Sequence, residues 1–252
     1  MEEKYILIFL SNCRAEIRVL IPGAGLGRIV YEVLRAGYEV QGNELEFCML
    51  MASNLALNMY LLQTRLSTNF RLDPERAYEL YPYIHTMSHH RSTQDVVQCV
   101  PIPDTSAGKG MRLSGTKAEM SMVAGDFIDC YSSPSDAGTF SVVITIFFID
   151  TAPNVLQYLE TIYNVLEPNG VWINIGPLAW HFEPDSESTP PRTGGTIELT
   201  LEELLSATQK IGFVLETGEN LTQKSISMPY MGNKRGLLTY LYHTEFWVAR
   251  KT

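Results

Sequence analysis

The stretch "RVLIPGAGLGRIVYEVLRAGYEV", Arg18 to Val40, most limits the fold, because it sets Gly23, Gly25 and Gly27 between an apolar run and a helical pattern. Arg18 to Ile21 reads as a short buried strand, and Ile29, Val30, Val33 and Leu34 recur at helical spacing until Gly37 stops the helix. Strand, glycine turn and helix in that order let backbone approach a ligand closely while helix N–H groups point at it. The dinucleotide fingerprint requires glycine where Arg28 stands, so the pattern is Gly-x-Gly-x-Gly and not Gly-x-Gly-x-x-Gly.

Downstream, Tyr38 to Gly42 reads as a second strand with Glu44 at its tip, and a helical pattern covers about Leu45 to Leu62. Residues 63–117 lose any sustained period and read as an insertion after the second helix. "AEMSMVAGDF" is a third strand, and "TFSVVITIFFID" is a fourth that runs to Asp150. A helix over "NVLQYLETIYNVLEPNG" leads to a fifth strand, "VWINIG". After a flexible loop at 183–195, Thr200 and Glu203 form a capping box for a helix that Gly212 stops. Phe213 to Thr217 and "LTYLYHTEFWVARK" then predict a sixth strand and a last one, paired as a hairpin. The expected fold is a single α/β domain over 1–252, a mostly parallel seven-stranded sheet with a C-terminal antiparallel hairpin.

Charge narrows the partners. A net charge of -9 and a pI near 5.1, without a basic stripe, argue against nucleic acid. Cys13, Cys48, Cys99 and Cys130 are scattered, as expected for reduced thiols. The amino terminus begins with acids where a secretory leader needs bases, and the run Val142 to Ile149 is too short to span a bilayer. A soluble cytosolic or nuclear protein is expected. His85, His89 and His90 sit close together, but no acid or further thiol completes a ligand set, and no metal is expected.

The acids carry the chemistry. Glu44 suits the two ribose hydroxyls of a nucleoside, and Asp126 suits an adenine amino group with Phe127 covering the ring. The plainer roles are turn formation for Asp126 and, for Asp150, the cap of the helix starting near Pro153. Glycine turn, strand-Glu, strand-Gly-Asp-Phe and terminal hairpin together resemble the Rossmann-like class I S-adenosylmethionine-dependent methyltransferases. Amino-group methyltransferases of that class often show Asn or Asp, then Pro-Pro and an aromatic, at the fourth strand end. Here Asp150-Thr-Ala-Pro stands instead, which suggests a nitrogen acceptor other than a nucleobase amine.

"PGAGLGR", "GYEVQGNE", "FFIDTA", "LEPNGVWINIGPLAWHFE" and "IELTLEE" resemble, in order, the carnosine N-methyltransferase family. The resemblance implies S-adenosylmethionine as cofactor, held by Gly23, Gly25, Gly27 and Glu44, with Asp126 and Phe127 at the adenine end and Ile146 lining its pocket. It implies that Asp150, His181, Tyr240 and Tyr242 line the site of a histidine dipeptide, Asp150 and His181 being catalytic. An imidazole of pKa ~6.5 is largely neutral at cellular pH, so the site has to supply the correct tautomer. Packing is the plainer role of the two tyrosines, as a structural hydrogen bond is of His181. The expected partner is a small dipeptide and the expected oligomer a homodimer. Family members carry a helical region before the first strand that covers the cofactor and gives it a Gln and an Arg. Only 17 residues precede Arg18 and they do not resemble it, so an open methyl donor is expected. Two alternatives stand beside this: the same chemistry on a peptide histidine, and a non-catalytic cofactor-binding module.

Overall fold

A computed structural model describes residues 16–65, 78–102, 118–181, 196–218, 222–230, 233 and 235–252. The chain runs β1 (Arg18–Pro22), α1 (Arg28–Arg35), β2 (Glu39–Glu44), α2 (Phe47–Arg65), β3 (Tyr78–Leu80), α3 (Thr93–Val96), β4 (Val100–Ile102), β5 (Met120–Ala124) and α4 (Phe127–Tyr131). It continues through β6 (Phe140–Ile146), α5 (Val155–Val165), β7 (Leu166–Gly176), α6 (Leu201–Ile211), β8 (Phe213–Leu215), β9 (Lys224–Tyr230) and β10 (Tyr240–Lys251).

The main sheet is ordered β5-β2-β1-β6-β7-β10-β8, with β9 paired to β10. β5 through β7 are parallel neighbours, and β10 runs antiparallel to β7, β8 and β9. The seven strands expected are therefore present. Two boundaries and one pairing differ, the first boundary being the start of the fifth strand, at Leu166 instead of Val171. The fourth strand stops at Ile146, because Phe147 turns with φ 51, and Asp150 lies in a 3-10 turn at Ile149–Thr151 instead of on the strand. The last strand does pair with β8, but its hairpin partner is β9, an eighth strand whose "KSISMPY" alternation puts Ile226, Met228 and Tyr230 in register with Thr244, Tyr242 and Tyr240. The helix after Asp150 is capped by Asn154, whose side chain accepts from the Leu156 N–H, so Asp150 is not its cap.

Strand alternation divides the core into two layers. Leu20, Val143, Trp172 and Trp247 pack on one face with Leu159 and Ile162 of α5 and Leu204 of α6. Val19, Ile21, Val142, Ile144 and Ile173 pack on the other with Val30, Val33 and Leu34 of α1. On the α5 face a buried polar chain is satisfied internally: Trp172 Nε1 donates to Thr145 Oγ1 at 2.8 Å, and Thr145 Oγ1 to Asn174 Oδ1 at 2.7 Å. Within the expected insertion, α2 continues to Arg65, and the described part holds the β3–β4 pair and the single turn α3. Residues 66–77 and 103–117 lie outside the described residues, as does the expected loop 183–195.

Asn43 ties three loops together at the carboxyl ends of the strands. Its side-chain amide donates to the carbonyls of Val123, 3.3 Å, and Gly125, 2.9 Å, and its own carbonyl accepts from the Ala24 N–H at 2.9 Å. The residue is 2% exposed, so no water substitutes for it. Asn43→Ala is expected to lower the unfolding free energy by about 1–3 kcal/mol through two stranded carbonyls, read as a shifted denaturation midpoint at unchanged slope.

Candidate active site

The glycine turn sits where β1 ends beside β2 and β6, and its three glycines serve different needs. A Cβ on Gly23 (φ 64) would stand 2.6 Å from Phe148 Cδ2, so the turn lies directly on that ring. Gly27 (φ 79) begins α1 without any side-chain cap, leaving the first-turn N–H groups for a ligand. A Cβ on Gly25 (φ 53) would meet nothing within 4 Å, so here the backbone faces open space.

Glu44 ends β2 opposite this opening. Its Oε2 accepts from the Gly25 N–H at 2.7 Å, and Oε1 accepts from the Leu45 and Glu46 N–H groups at 2.9 Å each. A carboxylate offers about four acceptor positions. Three are taken by backbone, so binding both ribose hydroxyls entails exchanging one of these donors. Leu26, Leu45 and Phe47, all more than half exposed, supply apolar surface around the acid. An open glycine turn, an acid and an apolar rim fit an adenosyl group.

Gly125 N–H donates to the Glu44 carbonyl at 3.0 Å, which brings Asp126 to the tip next to Glu44. Asp126 Oδ1 caps α4, accepting from Ile128 N–H at 2.9 Å and Asp129 N–H at 3.4 Å. The ring of Phe127 differs from expectation: it is 3% exposed, 5.4 Å edge-on from both Phe148 and Tyr158. A ring locked in the core cannot also cover an adenine, so what Phe127 offers the groove is backbone. Ile146, half-buried, ends β6 beside Ile175.

Asp150 follows β6 in the turn at Ile149–Thr151. It is fully buried; Oδ2 accepts from the Ala179 N–H at 2.9 Å, and Oδ1 has no hydrogen-bond partner among the described residues. Burial raises its pKa from the ordinary 3.8, with the Ala179 N–H and the His181 ring pulling the other way. His181 Nδ1 stands 3.7 Å from Oδ2, too far for a hydrogen bond, with its side chain 66% exposed. Tyr242 forms a wall with two residues not anticipated from the sequence: Phe147 lies 5.8 Å away, Tyr230 5.4 Å, and Phe147 stacks on Tyr230 at 5.8 Å. Tyr240 is 60% exposed and stands outside that cluster. The diluted alternation of β9 gave no clear signal for Tyr230, and nothing in the run "TIFFID" announces the turn at Phe147. Among the described residues no three His, Cys, Asp or Glu side chains converge as a metal site.

A carboxylate whose native pKa is raised binds its proton more tightly when folded. It therefore supports stability below its unfolded value and withdraws support as pH climbs through the native one. Asp150→Asn is expected to gain in melting temperature over the parent at pH 7 to 8 relative to pH 4, measured by calorimetry across that range; a pH-independent difference contradicts a desolvated Asp150.

Comparison with known proteins identifies the family and the fold. The family model described as carnosine N-methyltransferase matches residues 7–252. Carnosine N-methyltransferase of Schizosaccharomyces pombe is 39% identical over 240 residues, 94% of this chain and 59% of that protein. That of Rattus norvegicus is 35% identical over 237 residues, 94% of this chain and 52% of its own. The chain thus spans about half the length of the curated relatives it matches. A solved S-adenosylmethionine-dependent methyltransferase of Methanosarcina mazei superposes with a TM-score of 0.55 at 13% identity, covering 98% of this chain and 96% of that one, which shows a shared fold. With its sheet order and its match from residue 7 to residue 252, the chain belongs to the carnosine N-methyltransferase family.

Proposed function

We propose that this chain transfers a methyl group from S-adenosylmethionine to the imidazole ring of carnosine or a related histidine-containing dipeptide. The observation that carries this is Asp150: a fully buried carboxylate with one oxygen held by Ala179 and the other without a partner. An unpartnered buried acceptor is costly, and a ring N–H is the donor that would complete it. Family membership and relatives named for carnosine support the same acceptor.

S-adenosylmethionine, when bound, supplies a methyl group made electrophilic by its positive sulfur. The chain would hold it through the turn at Gly23, Gly25 and Gly27, the carboxylate of Glu44, the side chain of Asp126, the backbone of Phe127, and Ile146. Asp150 accepts the N–H on the far ring nitrogen, which fixes the tautomer and leaves the near nitrogen's lone pair exposed. As that nitrogen gains its carbon the ring becomes cationic, and the ionised Asp150 stabilises it in a site from which water is excluded. His181, exposed and 3.7 Å from Asp150 Oδ2, then relays the ring proton to solvent. Tyr242, Tyr230 and Phe147 present aromatic surface to the cationic ring, with Tyr240 at the outer rim.

The test is incubation with S-adenosylmethionine and carnosine, read as a one-methyl mass gain on the imidazole. Asp150→Asn is expected to lower kcat by about 10²–10⁴-fold while leaving S-adenosylhomocysteine affinity unchanged. Thermal protection by S-adenosylhomocysteine with no methyl gain on any imidazole substrate would identify a binding module instead.

A further inference from the structure

Trp180 has a backbone that a bulky residue seldom adopts, with φ 46, between the two residues that meet Asp150. On its one side Ala179 N–H donates to Asp150 Oδ2 at 2.9 Å; on the other, His181 Nδ1 stands 3.7 Å from the same oxygen. The indole turns away from both, packs against the core layer under α5 and α6, and donates from Nε1 to the Leu199 carbonyl at 3.0 Å. Leu199 directly precedes Thr200, which caps α6 in a two-way exchange with Glu203 and so cannot drift. Two residues before Leu199, Ile197 N–H donates to the Pro153 carbonyl at 2.9 Å and bridges to Asn154, just beyond the turn that holds Asp150.

These contacts form a closed ring: Asp150 to Ala179, Trp180 to Leu199, Ile197 to Pro153, and along the chain back to Asp150. We infer that Trp180 is a positioning residue whose indole N–H closes this ring, holding the Ala179 N–H and His181 over the carboxylate and keeping the acid out of water. A left-handed backbone at a large residue persists only where surrounding contacts over-determine it, and the Leu199 bond with the packed indole is such a determinant. The ring's consequence for turnover rests on the methyl transfer proposed above; the holding of Ala179 does not.

Trp180→Phe retains an aromatic ring for the core and removes the donor. Two measurements on the full chain separate the inference from the reaction it serves. Amide hydrogen exchange at Ala179 is expected to speed up by about 10-fold or more, because its acceptor is no longer held in place. With carnosine, kcat/KM is expected to fall by about 10-fold or more, in kcat more than KM, while S-adenosylhomocysteine affinity stays at the parent value. Ala179 exchange within twofold of the parent overturns the inference whatever the activity does. Faster exchange with parental kcat/KM overturns the positioning role in turnover. If the parent itself methylates no imidazole, the exchange result still decides the ring, and the failure belongs to the proposed reaction alone.

Discussion

The two halves of the site are joined through adjacent phenylalanines that point opposite ways. Phe148 lies under Gly23 and stacks on Tyr158 at 4.8 Å within the core, while Phe147 joins Tyr230 and Tyr242 at the β9–β10 hairpin. The left-handed backbone of Phe147 makes that division, and its N–H, donating to the Ile175 carbonyl at 2.9 Å, holds it. Gly176 is part of the same arrangement, since a Cβ there would press on the Phe147 backbone at 3.2 Å. Moving the glycine turn therefore moves a ring whose neighbour in sequence packs on Tyr230 and Tyr242, so the glycine turn and the aromatic cluster share one packed junction.

On the donor side, Glu44 shows how the protein holds an acid ready for a ligand. Its carboxylate organises the loops by taking three backbone N–H groups, including that of Gly25, whose Cα faces open space. The same bond that orders the turn is the one a ribose hydroxyl would replace. Exchange of one charged hydrogen bond for another keeps the net cost of binding low, because no carboxylate has to be stripped of water first.

Much of this was legible in the chain. The seven principal strands follow from period-two runs and a glycine turn, and the capping box at Thr200 and Glu203 marked α6 correctly. The misses have local causes. Tertiary contacts, invisible to periodicity, end β6 at Ile146 although apolar residues continue to Ile149. The strand β9 was hidden because Lys224, Ser225, Ser227 and Pro229 dilute its alternating apolar face. Asp126 and Glu44 were identifiable as acids at strand tips, yet the burial of the Phe127 ring depends on Phe148 and Tyr158, which lie 21 and 31 residues further along. Trp180 carried no signal at all, since its role exists only once Leu199 and Ile197 are folded against the turn at Asp150.

Asp150 costs the fold something, and that cost points to chemistry. A carboxylate with its pKa raised by burial opposes folding at neutral pH, and the Ala179 N–H, the His181 ring and its own backbone N–H compensate only in part. An amide of the same shape would avoid the charge. An amide oxygen would also accept a ring N–H, but in the proposed reaction it would lack the negative charge to offset the positive charge that grows on that ring during attack. The desolvation that weakens the protein is the same property that strengthens this interaction, since an ion pair gains as local water is lost. In the proposed reaction, the exposed His181 and the partly exposed Tyr230 and Tyr242 would line the acceptor's approach to the charge of Asp150 with aromatic surface. A flat, polar, readily polarised ring meets both demands at once, whereas a primary ammonium would reach the carboxylate still carrying the proton that blocks its lone pair.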